Sequence, residues 1–280
     1  MRDNRIGAIQ VALGAIFWSF AGVLGKWLPW NAFTINGIRS LVAAILIGLS
    51  RRSFRVRLTK GTLLGALGVT LTSMLYMAAI KLTTSANAIV LQYAAPAFVI
   101  LFCWLFYGQR PSLRSVIAAA LIMLGVVLCF ADKMGGGRLM GNILAILSAV
   151  TFALVFFCGR MPDTNPAEYS YLGLLLCVPT AVCGFFDPAM SARPTEWLAV
   201  LGLGVCLAGG YYFVGRAMGK VSPVFAVLLS NLEPVLNPIW VAVFLPSLGE
   251  VPGGLALVGS IIVLVTAAAY SLTGEKTQER

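Results

Sequence analysis

GAIQVALGAIFWSFAGVLGK, residues 7–26, and GNILAILSAVTFALVFFCGR, residues 141–160, are two versions of one segment. Laid over one another, Ala15-Ile16 falls on Ala149-Val150, Trp18 on Phe152, and the closing Gly25-Lys26 on Gly159-Arg160. The register persists downstream with small loop insertions. TSANAIVLQYAAP, residues 84–96, meets SPVFAVLLSNLEP, residues 222–234. Gly108-Gln109-Arg110-Pro111 then meets Gly249-Glu250-Val251-Pro252. The chain reads as a duplication, with a first five-helix repeat at 1–134 and a second at 135–280.

Each copy is built for a bilayer. Of 280 residues, 59% are hydrophobic and only 11% charged, against about 25% charged in soluble domains, and the mean hydropathy is +0.91. The apolar runs are continuous and do not alternate with period two, which excludes an outer-membrane barrel. Punctuation by charge, Pro and Gly delimits ten spans of roughly 20 residues each. They are Ile6–Gly25, Ala32–Leu49, Gly61–Ile80, Ser85–Tyr107, Ser112–Ala131, Leu139–Gly159, Glu168–Phe186, Thr195–Arg216, Ser222–Leu245 and Pro252–Leu272. The expected fold is an all-α integral membrane protein. Ten transmembrane helices form two inverted five-helix repeats around a central cavity.

The net charge of +10 belongs to topology and not to nucleic acid. Arg2, Arg5, the run Arg51, Arg52, Arg55, Arg57 and Lys60, then Arg110, Arg114, Arg160, Arg216, Lys220, Lys276 and Arg280 share one side of the membrane. Lys26, Lys81, Lys133, Arg138 and Arg193 lie on the other. That bias sets both termini in the cytoplasm. The expected location is the cytoplasmic (inner) membrane, crossed many times. Five spans per copy is an odd number, so the second copy enters the membrane from the opposite face. Inverted repeats of this kind mark secondary transporters, with a shared site near the midplane.

The chain resembles the drug/metabolite transporter superfamily, in its ten-helix group of paired EamA-type repeats. The residues that carry the likeness are Ala15-Ile16-Phe17-Trp18-Ser19, Arg39, Pro96 with Gly108-Gln109-Arg110-Pro111, and Leu232-Glu233-Pro234 with Gly249-Glu250-Val251-Pro252. The resemblance covers essentially the whole chain. It implies export of small metabolites, and the YddG-type amino-acid exporters are the subgroup it suggests first.

Glu233 is the one carboxylate well inside a span. Such a charge costs about 2.5–3.5 kcal/mol on insertion scales, so it needs a partner, water or a proton. It reads either as a coupling or substrate-amine site, or as an acid tied to neighbouring helices. Arg39 lies about 10 Å below its span end at about 1.5 Å per residue, at a depth that permits an ion pair with Glu233. Its counterpart in the second copy is Leu174. Pro96 and Pro234 break their spans, since proline removes one backbone N–H and crowds the preceding turn. Trp18, Asn36, Tyr76, Gln92, Tyr93, Tyr212, Asn231 and Trp240 are the cavity candidates, because buried amides and hydroxyls must face protein or water. Trp27, Trp30, Tyr107 and Trp197 near span ends read as interface anchors.

The chain has no histidine, which removes histidine base and metal chemistry. It has neither a GxxxxGK[ST] loop nor GxSxG, so ATP hydrolysis and hydrolase chemistry are not expected. No enzyme activity, cofactor or catalytic residue is expected. The expectation is a monomer in the lipid bilayer that exports a small molecule, an amino acid above all, by alternating access. An exporter of drugs or quaternary cations, a passive channel and an intramembrane enzyme are the alternatives.

Overall fold

The computed structural model describes residues 2–83, 85–131, 139–244 and 254–272. The connection Gly135–Arg138, the Gly249–Pro252 motif and the basic residues Lys276 and Arg280 lie outside them. Thirteen α-helices are present among the described residues. They are α1 (Arg2–Ser19), α2 (Ala21–Lys26), α3 (Ala32–Ser50), α4 (Lys60–Leu82), α5 (Ser85–Gln92), α6 (Ala95–Tyr107) and α7 (Leu113–Phe130). The second copy gives α8 (Leu139–Cys158), α9 (Pro166–Cys177), α10 (Pro194–Ala217), α11 (Pro223–Ser230), α12 (Glu233–Phe244) and α13 (Gly254–Leu272). A 3-10 segment, Val178–Phe186, continues α9.

End to end these pieces make ten rods, and seven stretches are long and apolar enough to cross a membrane. α7 and α13 contribute shorter apolar segments, Leu113–Leu128 and Leu257–Tyr270. Side-chain caps start several rods. Asn31 accepts from the Phe33 amide at 2.9 Å, Thr59 from Thr62 at 3.1 Å, and Ser222 from Phe225 at 3.1 Å. Each satisfies an amide that the first helical turn leaves unpaired.

Four rods that the sequence presents as continuous spans are interrupted. Two interruptions are mates. α5 gives way to α6 at Tyr93-Ala94, and α11 to α12 at Asn231-Leu232, which are equivalent positions in the two copies. At both, the chain tightens into three-residue turns: Ala94 N–H donates to Leu91 O at 3.2 Å, and Leu232 N–H to Leu229 O at 3.2 Å. The prolines two residues on explain the coincidence. Pro96 and Pro234 have no N–H for the carbonyls of Gln92 and Ser230, so the helix restarts instead of continuing. The other two interruptions, at Phe20 between α1 and α2 and at the 3-10 tail of α9, occur in one copy only.

Packing obeys the duplication. α1 lies on α10 and its mate α8 on α4; α3 lies on α10 and its mate α9 on α4. α5 and α6 lie on α8 as α11 and α12 lie on α1, while α3–α9 and α7–α13 pair each helix with its own mate. Each of these contacts survives exchange of the two halves, as a two-fold relation requires. Close approach needs small residues at the crossings. A Cβ on Gly173 of α9 would stand 2.6 Å from the Val69 Cβ of α4, and one on Gly37 of α3 would strike the backbone of Ala181. Hydroxyls bridge the same crossing: Thr70 Oγ1 donates to Gly173 O at 3.0 Å. Outward faces carry exposed Leu105, Phe106, Leu198 and Val205, as contact with hydrocarbon demands.

Candidate substrate cavity

A cavity of about 110 Å³ opens where α1, α3, α4, α5, α10 and α12 converge beside the two proline breaks. Six of the residues singled out in the sequence line it: Trp18, Arg39, Tyr76, Gln92, Tyr93 and Glu233. Pro96 and Pro234 are buried at the breaks. They aim the ends of α5 and α12 at this space.

Three candidates stand behind the wall. Asn36 is fully buried one turn before Arg39, and its Oδ1 accepts from Arg39 Nη2 at 3.1 Å and from Ser73 Oγ at 2.6 Å. It orients the guanidinium. Asn231 is buried at the second break, with its Nδ2 unpartnered. Trp240 donates from Nε1 to Ser19 Oγ at 2.8 Å and stacks on Phe20, with ring centres 4.9 Å apart. It ties α12 to the α1–α2 interruption.

Tyr212 is the correction. It faces away from the cavity, into a lateral groove of about 280 Å³ with Phe17, Leu46 and Val205. There its hydroxyl accepts from Arg216 Nη1 at 2.7 Å. Tyr211 holds the cavity position instead. Successive helical residues are turned about 100° apart, so only one of two adjacent tyrosines can face inward. Gly210 decides which, because a Cβ there would lie 2.0 Å from Trp18 Nε1. The indole sits flush on α10 and edge-on to Tyr211, with ring centres 5.3 Å apart. Thr72, Ser73, Phe152 and Cys206 also line the cavity without having been singled out. The one signal for the hydroxyls is that Thr72, Ser73 and Tyr76 share a helical face of α4.

The two charges in the cavity do not form a contact ion pair. Tyr93 and Glu233 line the cavity at the first and second break. Arg39 has no carboxylate within 4.0 Å among the described residues. Its Nε is buried without a partner, as is Trp18 Nε1. No group of three or more His, Cys, Asp or Glu that could hold a metal occurs among the described residues.

Two clasps close opposite ends of α3. At its C-terminal end, Arg51 meets Glu168 of α9 at 3.3 Å and lies over the Tyr171 ring at 5.5 Å. The Arg57 amide donates to the same carboxylate at 3.0 Å. At its N-terminal end, Trp30 Nε1 and Ser191 Oγ both donate to Glu196 Oε2, at 2.6 and 2.7 Å. The Asn31 amide donates to Asp187 alongside. Trp30 is therefore buried in a clasp and is not an interface anchor, whereas Trp27 is exposed. The connection after α3 closes on the start of α9. At the other end the start of α3 meets Asp187 in the connection after the 3-10 tail, the mate of that contact. Trp30 meets Glu196 in the first turn of α10, which has no mate in the first clasp.

Known proteins show the same architecture. The chain is 27% identical to a pseudopaline exporter of Pseudomonas aeruginosa over 96% of its own length and 97% of the relative's. It is 27% identical to the aromatic amino acid exporter YddG of Ancylobacter novellus, over 70% of this chain and 71% of that one. A protein of known crystal structure superposes with a TM-score of 0.81 at 21% identity, covering 96% of this chain and 98% of its own, which establishes the fold alone. The sequence profile of the EamA-like transporter family matches twice, at residues 5–131 and 139–272. A multi-pass membrane transporter and not an enzyme, the chain belongs to the EamA-like transporter family of the drug/metabolite transporter superfamily.

Proposed function

We propose that this chain is a secondary exporter of amino acids, working by alternating access in the cytoplasmic membrane with both termini in the cytoplasm. One observation carries the reading: a cavity lies beside the paired helix breaks, with a clasp at each end of α3. Exchanging the halves carries the contact between the α3 connection and the start of α9 onto that between the α9 connection and the start of α3. A carrier that exposes one site to each side in turn needs that equivalence. A passive pore has no use for it.

In the orientation that the basic residues favour, the Arg51–Glu168 clasp is cytoplasmic and the Trp30–Glu196 clasp extracytoplasmic. Opening the first admits substrate from the cytoplasm; closing it and opening the second releases substrate outside. The tightened turns at Tyr93-Ala94 and Asn231-Leu232 are the places where the rods can flex with little loss of backbone hydrogen bonding. The two named relatives export different substrates, so the substrate class rests on the cavity. Aromatic faces from Trp18, Tyr76 and Tyr211 suit an apolar or aromatic side chain. One deep cation and one deep anion suit a zwitterion better than a phosphorylated metabolite, which would call for several basic groups. Purified protein in liposomes, assayed for counterflow of labelled amino acids without ATP, tests the reading. Transport of quaternary drugs but no amino acid would contradict it.

A further inference from the structure

Two opposite charges in one low-dielectric cavity lower their energy most by pairing. Here they do not meet as a contact ion pair. Arg39 donates to Asn36 on its own helix, at 3.1 Å, while Glu233 borders the cavity from the start of α12 beside the second break. The two line the same cavity, and no carboxylate lies within 4.0 Å of Arg39 among the described residues.

Donors and acceptors are sorted to match. Around Arg39 the surplus is in donors: its Nε is buried without an acceptor. Trp18 is 7% exposed and borders the cavity. Glu233 brings an ionisable carboxyl group, which when ionised only accepts, and Tyr76, Gln92 and Tyr93 add groups that can both donate and accept to the same cavity lining. A guanidinium with free N–H groups takes a carboxylate in a bidentate, charge-assisted contact. A carboxylate ringed by hydroxyls takes an ammonium, and aromatic faces reinforce it.

Resting on the amino-acid reading above, we propose that the cavity reads its substrate end to end. Arg39 takes the α-carboxylate and Glu233 takes the α-ammonium. These two are specificity-determining residues. A ligand with both groups compensates both buried charges, whereas one with a single group leaves a charge uncompensated. Sites built to bind a polar group reject analogues lacking it far more strongly than a missing methylene is rejected. The cavity is therefore selective for the zwitterion and not for the side chain alone.

The test uses the wild-type protein in liposomes. Labelled phenylalanine counterflow is competed with unlabelled phenylalanine, with phenethylamine, which lacks the carboxylate, and with 3-phenylpropionate, which lacks the ammonium. Both analogues are expected to compete at least about 1,000-fold more weakly than phenylalanine, beyond the roughly 10–200-fold of a missing methylene. In folded variants the penalties separate: Arg39→Gln relieves the penalty against phenethylamine only, and Glu233→Gln that against 3-phenylpropionate only. Phenylalanine counterflow with both analogues competing within about threefold overturns the end-to-end assignment but leaves amino-acid transport intact. The absence of counterflow with any amino acid overturns both.

Discussion

Tyr211 and Tyr212 show what a sequence tells about a residue in a membrane helix and what it withholds. Hydropathy fixes how deep a side chain lies, and both tyrosines are at the same depth. Which way each points depends on the neighbour across the crossing, and here Trp18 against Gly210 selects Tyr211. Asn36 and Trp240 show the same gap from another side. Both are polar side chains at span depth, as read from the sequence, yet their hydrogen bonds go to Arg39, Ser73 and Ser19. Arg39 and Glu233 were legible because charge inside a span is costly wherever it points. The expected consequence is asymmetric. Tyr211→Ala opens a gap beside Trp18 and lowers counterflow at least tenfold, about 1.4 kcal/mol or more in transition-state terms. Tyr212→Ala, in the lateral groove, keeps counterflow within about twofold. Equal losses in folded, equally expressed variants would put the cavity on the wrong face of α10.

At the scale of elements, the mated breaks were readable and the clasps were not. Pro96 and Pro234 announce an interruption by chemistry that holds in any context. The 3-10 tail of α9 carries Pro179 at its start with no proline at the equivalent place in the first copy, and the break at Phe20 has no proline beside it. The clasps join residues far apart in sequence, Arg51 with Glu168 and Trp30 with Glu196, and loop charges read only as topology signals until their partners are placed. Cys206, which borders the cavity, offers a reporter for both. In a variant keeping Cys206 as its single cysteine, Glu168→Gln removes the partner of Arg51 and the acceptor of the Arg57 amide. Labelling of Cys206 by a membrane-impermeant thiol reagent should then rise at least severalfold from the cytoplasmic face. Glu196→Gln should raise it from the opposite face. Labelling that responds to neither substitution, or from the same face in both, would show that the clasps do not gate the cavity.

For the whole molecule, the duplication determined most of the outcome. Two matching segments, an odd number of spans per copy and a lopsided distribution of Lys and Arg imply ten rods related by inversion, and the packing exchanges accordingly. The size of the cavity was not legible, because it depends on how tightly the tyrosines and Trp18 close over Arg39 and Glu233. The proposed topology is tested separately. Cysteines introduced near either terminus should label from the cytoplasm, and one introduced at Gly136 from outside. A cytoplasmic label at Gly136 would remove the inversion. Alternating access itself is tested most directly by counterflow. Liposomes containing the purified protein are preloaded with unlabelled phenylalanine, diluted into labelled phenylalanine, and given no ATP and no ion gradient. The account predicts transient accumulation of label above its external concentration, driven only by the exchange. Label that merely equilibrates at a rate independent of internal phenylalanine, or that does not enter at all, would contradict it.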